Sequence, residues 1–180
     1  MLLTGSLTRL VALEADQDAE LHARWSRDVE FFHLFNFGPA RGATAKQARE
    51  WLERDADDPN TFVFTILTQD GGKRIGLTDL SVLPRWQDAY LGIGIGERDY
   101  WGKGYGTEAV RLVAQFGFAE LNLHRITLSV FEFNTRAIRS YEKVGFVVEG
   151  RSRQLIQRAG RRWDSITMGL LRSDWKNHGY

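Results

Sequence analysis

Residues 100–107 read Tyr-Trp-Gly-Lys-Gly-Tyr-Gly-Thr, and this octapeptide constrains the fold more than any other stretch. Before it, Leu91 to Ile95 is a short apolar run of strand character; after it, Glu108 to Phe118 has helical periodicity. A glycine turn between a strand and a helix start is a place to hold phosphate. Glycine lets the backbone approach closely, and the unpaired N–H groups of the first helical turn point at the anion. The stretch points to a ligand bearing a diphosphate, gripped by Gly102, Lys103, Gly104, Tyr105, Gly106 and Thr107. Two familiar phosphate loops fit badly. A nucleotide P-loop needs Gly-x-x-x-x-Gly-Lys-Ser/Thr, whereas Lys103 sits between glycines. A dinucleotide fingerprint needs Gly-x-Gly-x-x-Gly, whereas Gly102, Gly104 and Gly106 are spaced Gly-x-Gly-x-Gly. A tight strand-to-helix connection with no ligand also explains the octapeptide, so the rest of the chain decides.

A second pattern lies downstream. Ile126, Leu128 and Val130 alternate with Arg125, Thr127 and Ser129, the two-residue period of a strand. Asn134 then opens a helix over Thr135–Val144 as a good N-cap, and Gly145 closes it. Ala137, Ile138 and Tyr141 share one face of this helix. Asn134 and Tyr141, two turns apart, share a side with about 10 Å between them along the axis.

These blocks resemble the GNAT superfamily of acetyl-CoA-dependent N-acetyltransferases. Trp101-Gly-Lys-Gly-Tyr-Gly106-Thr-Glu-Ala looks like the family's Gln/Arg-x-x-Gly-x-Gly/Ala pyrophosphate loop. Asn134-x-x-Ala137-x-x-x-Tyr141-x-Lys143-x-Gly145-Phe146 looks like its second block. The closing stretch, Glu149-Gly150-Arg151 through Arg161-Arg162-Trp163-Asp164 to Met168-Gly169-Leu170, is similar to the RimJ/RimL group, which includes enzymes acetylating the N-termini of ribosomal proteins. Together the blocks span residues 74–175. One position departs: the family's first Gln or Arg is Trp101 here, a replacement frequent in the RimJ/RimL group.

Strands come first and then alternate with helices, so the fold class is α/β (α+β). Strands are expected at Thr8–Ala12, Thr61–Thr68, Arg74–Leu83 and Ala89–Gly96, and helices at Asp16–Arg27, Thr44–Asp55 and Gly104–Leu121. Phe31–Gly42 reads as an aromatic loop. Ala48, Trp51 and Leu52 are expected to face inward from the second helix, and Ala109, Leu112, Val113 and Phe116 from the third. A last hairpin turns at Ala159-Gly160. The resemblance adds the expectation of a mixed, mostly antiparallel twisted sheet of about seven strands flanked by helices, in one N-acetyltransferase domain over 1–180.

Composition narrows the chemistry. The chain has no cysteine, which excludes disulfides, a thiolate nucleophile and a cysteine-ligated metal. Its net charge of +1 sets up no global field toward nucleic acid or membrane. Met1-Leu2-Leu3-Thr4-Gly5-Ser6 lacks a basic segment followed by an apolar one, and no apolar run reaches membrane-spanning length. A soluble, cytoplasmic protein binding neither nucleic acid nor membrane is the expectation.

The resemblance implies acetyl-CoA as cosubstrate, an amine as acceptor, no metal, and a possible homodimer. Acetyl transfer to an amine needs a grip on the diphosphate, a positioned thioester, a proton acceptor for the ammonium and a proton for the departing thiolate. The loop from Trp101 to Thr107 supplies the grip. Gly92, Gly94 and Gly96 share one face of their strand and leave it without side chains, which either a packed helix or an approaching ligand explains. In the family the pantetheine arm pairs with this strand, here Ile93, Gly94 and Ile95, which favours the ligand. Tyr141 matches the tyrosine that many members use as general acid, and Asn134 matches a residue contacting the CoA arm. Where related sequences often carry a basic glutamate, this chain has Tyr90. Asp79, a carboxylate inside an apolar strand, is the replacement candidate; Glu97 and a water chain are alternatives. The aromatic segment Phe31–Pro39 is expected to border the acceptor pocket, with Asp28 or Glu30 attracting the amine. The acceptor stays open between a protein N-terminus, a polyamine, an amino sugar and an amino acid. A non-catalytic acyl-CoA-binding module is the alternative of a different class.

Overall fold

The computed structural model describes residues 3–175. Met1 and Leu2 of the N-terminal segment, and the last five residues of the expected domain, lie outside the described residues. Seven strands form one mixed sheet: β1 (Thr8–Ala12), β2 (Thr61–Thr68), β3 (Arg74–Leu83), β4 (Asp88–Ile95), β5 (Arg125–Phe131), β6 (Val147–Arg158) and β7 (Arg161–Leu171). Their spatial order is β1-β2-β3-β4-β5-β7-β6. Every neighbouring pair is antiparallel except β4 and β5, which are parallel. The helices are α1 (Ala15–Ser26), α2 (Val29–Phe35), α3 (Ala45–Asp57), α4 (Tyr105–Ala119) and α5 (Thr135–Val144).

The sheet is sandwiched unequally. On one face α4 lays Ala109, Val110, Leu112, Val113 and Phe118 against the strands, in a core with Ile75, Leu80, Ile126, Leu128 and Met168. On the other, α1 and α3 pack through Ala19, Ala23, Ala48 and Leu52, with Leu77 of β3 beneath them. Thr44 caps α3 with a full capping box, its Oγ1 accepting from the Gln47 N–H while Gln47 accepts from the Thr44 N–H. The hairpin turns at Ala159 and Gly160, both at positive φ, which suits the twist of the flanking strands.

Two expectations change. The aromatic loop is in part a helix: Val29–Phe35 forms α2, because Asp28 caps it by accepting from the N–H groups of Glu30 and Phe31. Trp51 does not face inward and is 41% exposed, since the inner stripe of α3 is set by Ala48 and Leu52. Phe116 stands at the margin of the α4 stripe, half-buried against Phe62 and Phe64.

The feature that positions the site is a split in the sheet. β4 pairs with β3 along its whole length, and β5 pairs with β7 along its whole length. Between β4 and β5 pairing covers only Asp88–Tyr90 against Arg125–Thr127. Beyond Tyr90 the strands part, and the inner edge of β4 has no strand beside it.

Candidate active site

A cavity of about 760 Å³ fills the split. Leu91–Ile95 form one wall, Ser129–Phe131 another, and the α4 loop and α5 close the ends. The Gly96 N–H donates to the Ile75 carbonyl on β3. By strand alternation Gly94 and Gly92 turn the same way, so Leu91, Ile93 and Ile95 turn their N–H and C=O groups toward the split. The Trp101 indole N–H satisfies one of these, donating to the Ile95 carbonyl at 2.6 Å. The others form an open edge that an amide-bearing arm can pair with, since a backbone polar group shielded from water needs a partner.

At one end of the split stands the α4 N-terminus. Gly102 and Gly104 have φ of +71° and +93°, a region that L side chains rarely adopt. Gly104 is the N-cap and offers no side chain, so no side-chain cap engages the first N–H groups of α4. The one carboxylate in that turn, Glu108, points away from the cavity and accepts from the backbone and hydroxyls of Ser6, Leu7 and Thr8. The helix end is therefore free for an anion. Thr107 and Ser140 share a hydroxyl hydrogen bond of 2.7 Å that ties α4 to α5.

Around the cavity the structure gathers Ile93, Gly94, Ile95, Trp101, Gly102, Gly104, Gly106, Thr107, Asn134 and Tyr141. Lys103 and Tyr105 are not on its wall. Lys103 is exposed, and the Tyr105 ring packs edge-on against Tyr100 with centroids 4.9 Å apart. Asn134 uses Oδ1 to cap α5 through the Ala137 N–H, and its amide N–H₂ faces the Leu34 carbonyl at the end of α2. Tyr141 is buried, and burial pushes its phenol up to about 12.

The glycine face of β4 is occupied by the protein itself. A Cβ on Gly92 would lie 2.3 Å from Asp79 Oδ1, on Gly94 about 3.0 Å from the Phe35 ring, and on Gly96 about 2.0 Å from the Trp25 ring. The expectation of a bare face approached by ligand is corrected: helices α1 and α2 pack there, and the open approach to β4 is along its edge.

Asp79 pairs with Gly92 across the β3–β4 hairpin. It is not on the cavity wall; its oxygen lies over Gly92, which is. Burial, with the negative charge of Asp55 adding to it, pushes Asp79 up to about 6, against a weak hydrogen bond from Ser81. Glu97 is a poor base. Burial raises its carboxyl, but hydrogen bonding from the Trp25 indole and the charges of Arg24 and Lys73 outweigh this and hold it below the usual range. Asp28 and Glu30 do not stand free to attract an amine, because Arg98 pairs with both. The Arg98 hydrogen bonds hold Asp28 down at about 2.

The cavity wall also carries the aromatic segment singled out in the sequence and a polar set on α5 that the sequence reading missed. Phe31 and Phe35 of α2 stack at 5.5 Å and cover Gly94, while Phe37 packs edge-on against Phe131. Arg136, Arg139, Ser140 and Lys143 of α5 also line it. The signal for the basic ones was the helical spacing 136, 139, 143. Among the described residues no group of His, Cys, Asp or Glu is arranged to hold a metal ion, and no helix is long and apolar enough to cross a membrane.

The sequence model of the acetyltransferase (GNAT) domain matches residues 8–147. The chain belongs to the GNAT acetyltransferases. This GNAT chain is 31% identical to "Probable N-acetyltransferase YjcK" of Bacillus subtilis over 96% of its own length and 98% of that protein's. It is 30% identical to the SPbeta prophage-derived N-acetyltransferase YokL of the same organism over 76% of each chain. Among solved structures it superposes on the spermidine N-acetyltransferase of Vibrio cholerae, crystallised with CoA and spermine, with a TM-score of 0.84 at 25% identity, covering 94% of this chain and 98% of that one. The chain is thus an acetyl-CoA-dependent N-acetyltransferase, which transfers acetyl from acetyl-CoA to an amine.

Proposed function

We propose that this acetyltransferase acts on a primary amine of a small polycationic acceptor of the polyamine class, with Asp79 as general base and Tyr141 as general acid. The observation that carries the reading is the Asp79 carboxylate laid over Gly92 on the acceptor side of β4, beside the wall of Phe31, Phe35 and Tyr90. An alkyl chain suits the aromatic wall, and a cationic end suits the carboxylate. At neutral pH a carboxyl near 6 is mostly ionised, yet basic enough to take a proton from an ammonium directly or through one water. The Tyr141 phenol stays protonated over the same range and can donate to the leaving thiolate. The N–H groups at the start of α4 hold the diphosphate, and the edge of Ile93 and Ile95 aligns the pantetheine arm. The Vibrio cholerae enzyme, solved with spermine, supports the acceptor class.

A RimJ/RimL-type activity on protein N-termini is the competing assignment, resting on the β6–β7 stretch. The same reading has one domain over 1–180, working in the cytoplasm where acetyl-CoA is made and used, as a homodimer, with no nucleic acid or membrane partner. A thiol-release assay tests it on spermine, spermidine, amino sugars, amino acids and peptides with free N-termini. Polyamines are expected to give kcat/KM at least roughly tenfold above every peptide, a difference of about 1.4 kcal/mol in transition-state binding. Preference for a peptide would overturn the acceptor class and favour the RimJ/RimL assignment. CoA binding without turnover of any amine would favour a sensor.

A further inference from the structure

We propose that helix α5 carries a phosphate reader for the cofactor: Arg136, seated on the Trp101 ring, meets the diphosphate, and Arg139 with Lys143 selects the ribose 3′-phosphate. The proposal rests on the acetyl-CoA reading and deepens it.

Positions 136, 139 and 143 fall on one stripe of α5, and all three side chains line the cavity. Among the described residues, none of the three has a carboxylate within 4.0 Å. Arg24, Arg98 and Arg125, by contrast, each pair with an acid. Glu30 is the acidic charge that Arg136 feels, and its carboxylate is held by Arg98 at 2.6 Å.

Local energetics do not explain the stripe. Like charges one turn apart on a helix repel. Arg136 sits in the first turn of α5, where the helix dipole disfavours a cation, and that turn holds no acidic residue. Lys143, in the last turn, has the dipole in its favour, but a cluster that pairs with no carboxylate, is crowded, and sets Arg136 against the dipole is explained by an external anion.

The geometry says which anion. Trp101 occupies the position where related loops carry Gln or Arg, so this loop lacks that polar side chain. Its indole is fixed by the bond to the Ile95 carbonyl, and the Arg136 guanidinium lies 4.1 Å from the centre of the ring. A planar guanidinium held over a ring can still turn its N–H edge to phosphate oxygens. The polar group missing from the loop is thereby returned from α5. Ser140, between the other two cations in sequence, bonds Thr107 in the first turn of α4. The stripe therefore runs past the helix end that holds the diphosphate. Arg139 and Lys143 follow about one and two turns beyond Arg136, at a rise of about 5 Å per turn. That displacement suits a phosphate one sugar further along the ligand.

Calorimetric titration with CoA and with dephospho-CoA, which lacks only the 3′-phosphate, tests the assignment without turnover. Wild-type protein is expected to bind CoA about tenfold or more tighter than dephospho-CoA, with the ratio falling as salt rises. The double variant Arg139→Ala/Lys143→Ala should bind CoA about tenfold more weakly and dephospho-CoA unchanged. Arg136→Ala should weaken both ligands by a similar factor. Arg136→Lys, which keeps charge but loses the planar stack, should recover only part of that loss. These side chains are exposed, and unchanged melting temperatures would show that the variants fold. Equal loss of both ligands in the double variant, or no wild-type discrimination, overturns the 3′-phosphate assignment. Undiminished affinity in Arg136→Ala overturns the diphosphate assignment. Failure of wild-type protein to bind either ligand would instead refute the acetyl-CoA reading itself.

Discussion

Asp79→Asn separates a functional carboxylate from a merely tolerated one, because stability and activity should move in opposite directions. Burial raises the Asp79 pKa from 3.8 to about 6. In the unfolded chain it returns to the ordinary value. Between those two values the folded state binds more protons than the unfolded state, so this group's contribution to stability falls as pH rises. The loss is complete above the folded pKa. A shift of about two units at about 1.4 kcal/mol each is roughly 3 kcal/mol. Asparagine removes the charge, keeps the shape and can still accept from Ser81, which lies 3.5 Å away. The variant should therefore be more stable than wild type by up to about 3 kcal/mol at pH 8, with the gain vanishing near pH 4. Urea unfolding of both proteins across that range measures the difference, in which all other titrating groups cancel. The rate constants should show the opposite. Wild-type kcat/KM should rise with pH through an inflection near 6, while the variant loses that limb and falls roughly 10²–10⁴-fold at neutral pH. Part of the loss should return at high pH, where the amine is free without help. Equal stability of the two proteins at pH 8 would show that the carboxylate is not raised. A stability gain with an unaltered pH–rate profile would remove Asp79 from the chemistry.

Tyr141→Phe removes one hydroxyl from the cavity wall; turnover should fall roughly 10²–10⁴-fold with calorimetric CoA affinity unchanged. Gly104→Val places a branched side chain at a φ of +93° in the phosphate loop, and should lower CoA affinity by about tenfold or more in a protein that still folds. Glu108→Gln replaces an acceptor of five hydrogen bonds from Ser6, Leu7 and Thr8 with an amide that turns N–H groups toward donors, and should destabilise the fold by about 2 kcal/mol or more at pH 7. Burial raises the Glu108 carboxyl, but these bonds outweigh it and hold it low, so its contribution is present above the unfolded pKa and lost as pH falls through the folded one. Thermal melts of the two proteins should accordingly converge in acid.

What was legible in the sequence is what local chemistry controls. The strand Arg125–Phe131 shows in its alternation, and the α3 cap, the α5 cap and the Ala159-Gly160 turn show in residue types that each geometry demands. Helix α2 was hidden because Phe31-Phe32-His33-Leu34-Phe35 spreads its four apolar residues around the helix, so no stripe marks it; only Asp28 does, and Arg98, 70 residues away, competes for that same carboxylate. Glycine is the instructive case. Three glycines alternating on β4 announce that a Cβ is forbidden, but not what forbids it. The answer is three separate long-range contacts, from Asp79, Phe35 and Trp25, and none leaves a mark in the strand's own sequence. The split in the sheet is of the same kind. It arises because β4 and β5 each keep a full-length partner on the far side, which is a property of strand order and not of either strand. The α5 stripe joins the two levels. Its spacing was present in the sequence, yet charges at 136, 139 and 143 read as a wet helix face until Trp101 is found under one of them and the α4 N-terminus beside the rest. An exposed cation gains functional meaning from what it fails to pair with, and that is visible only once the neighbours are in place.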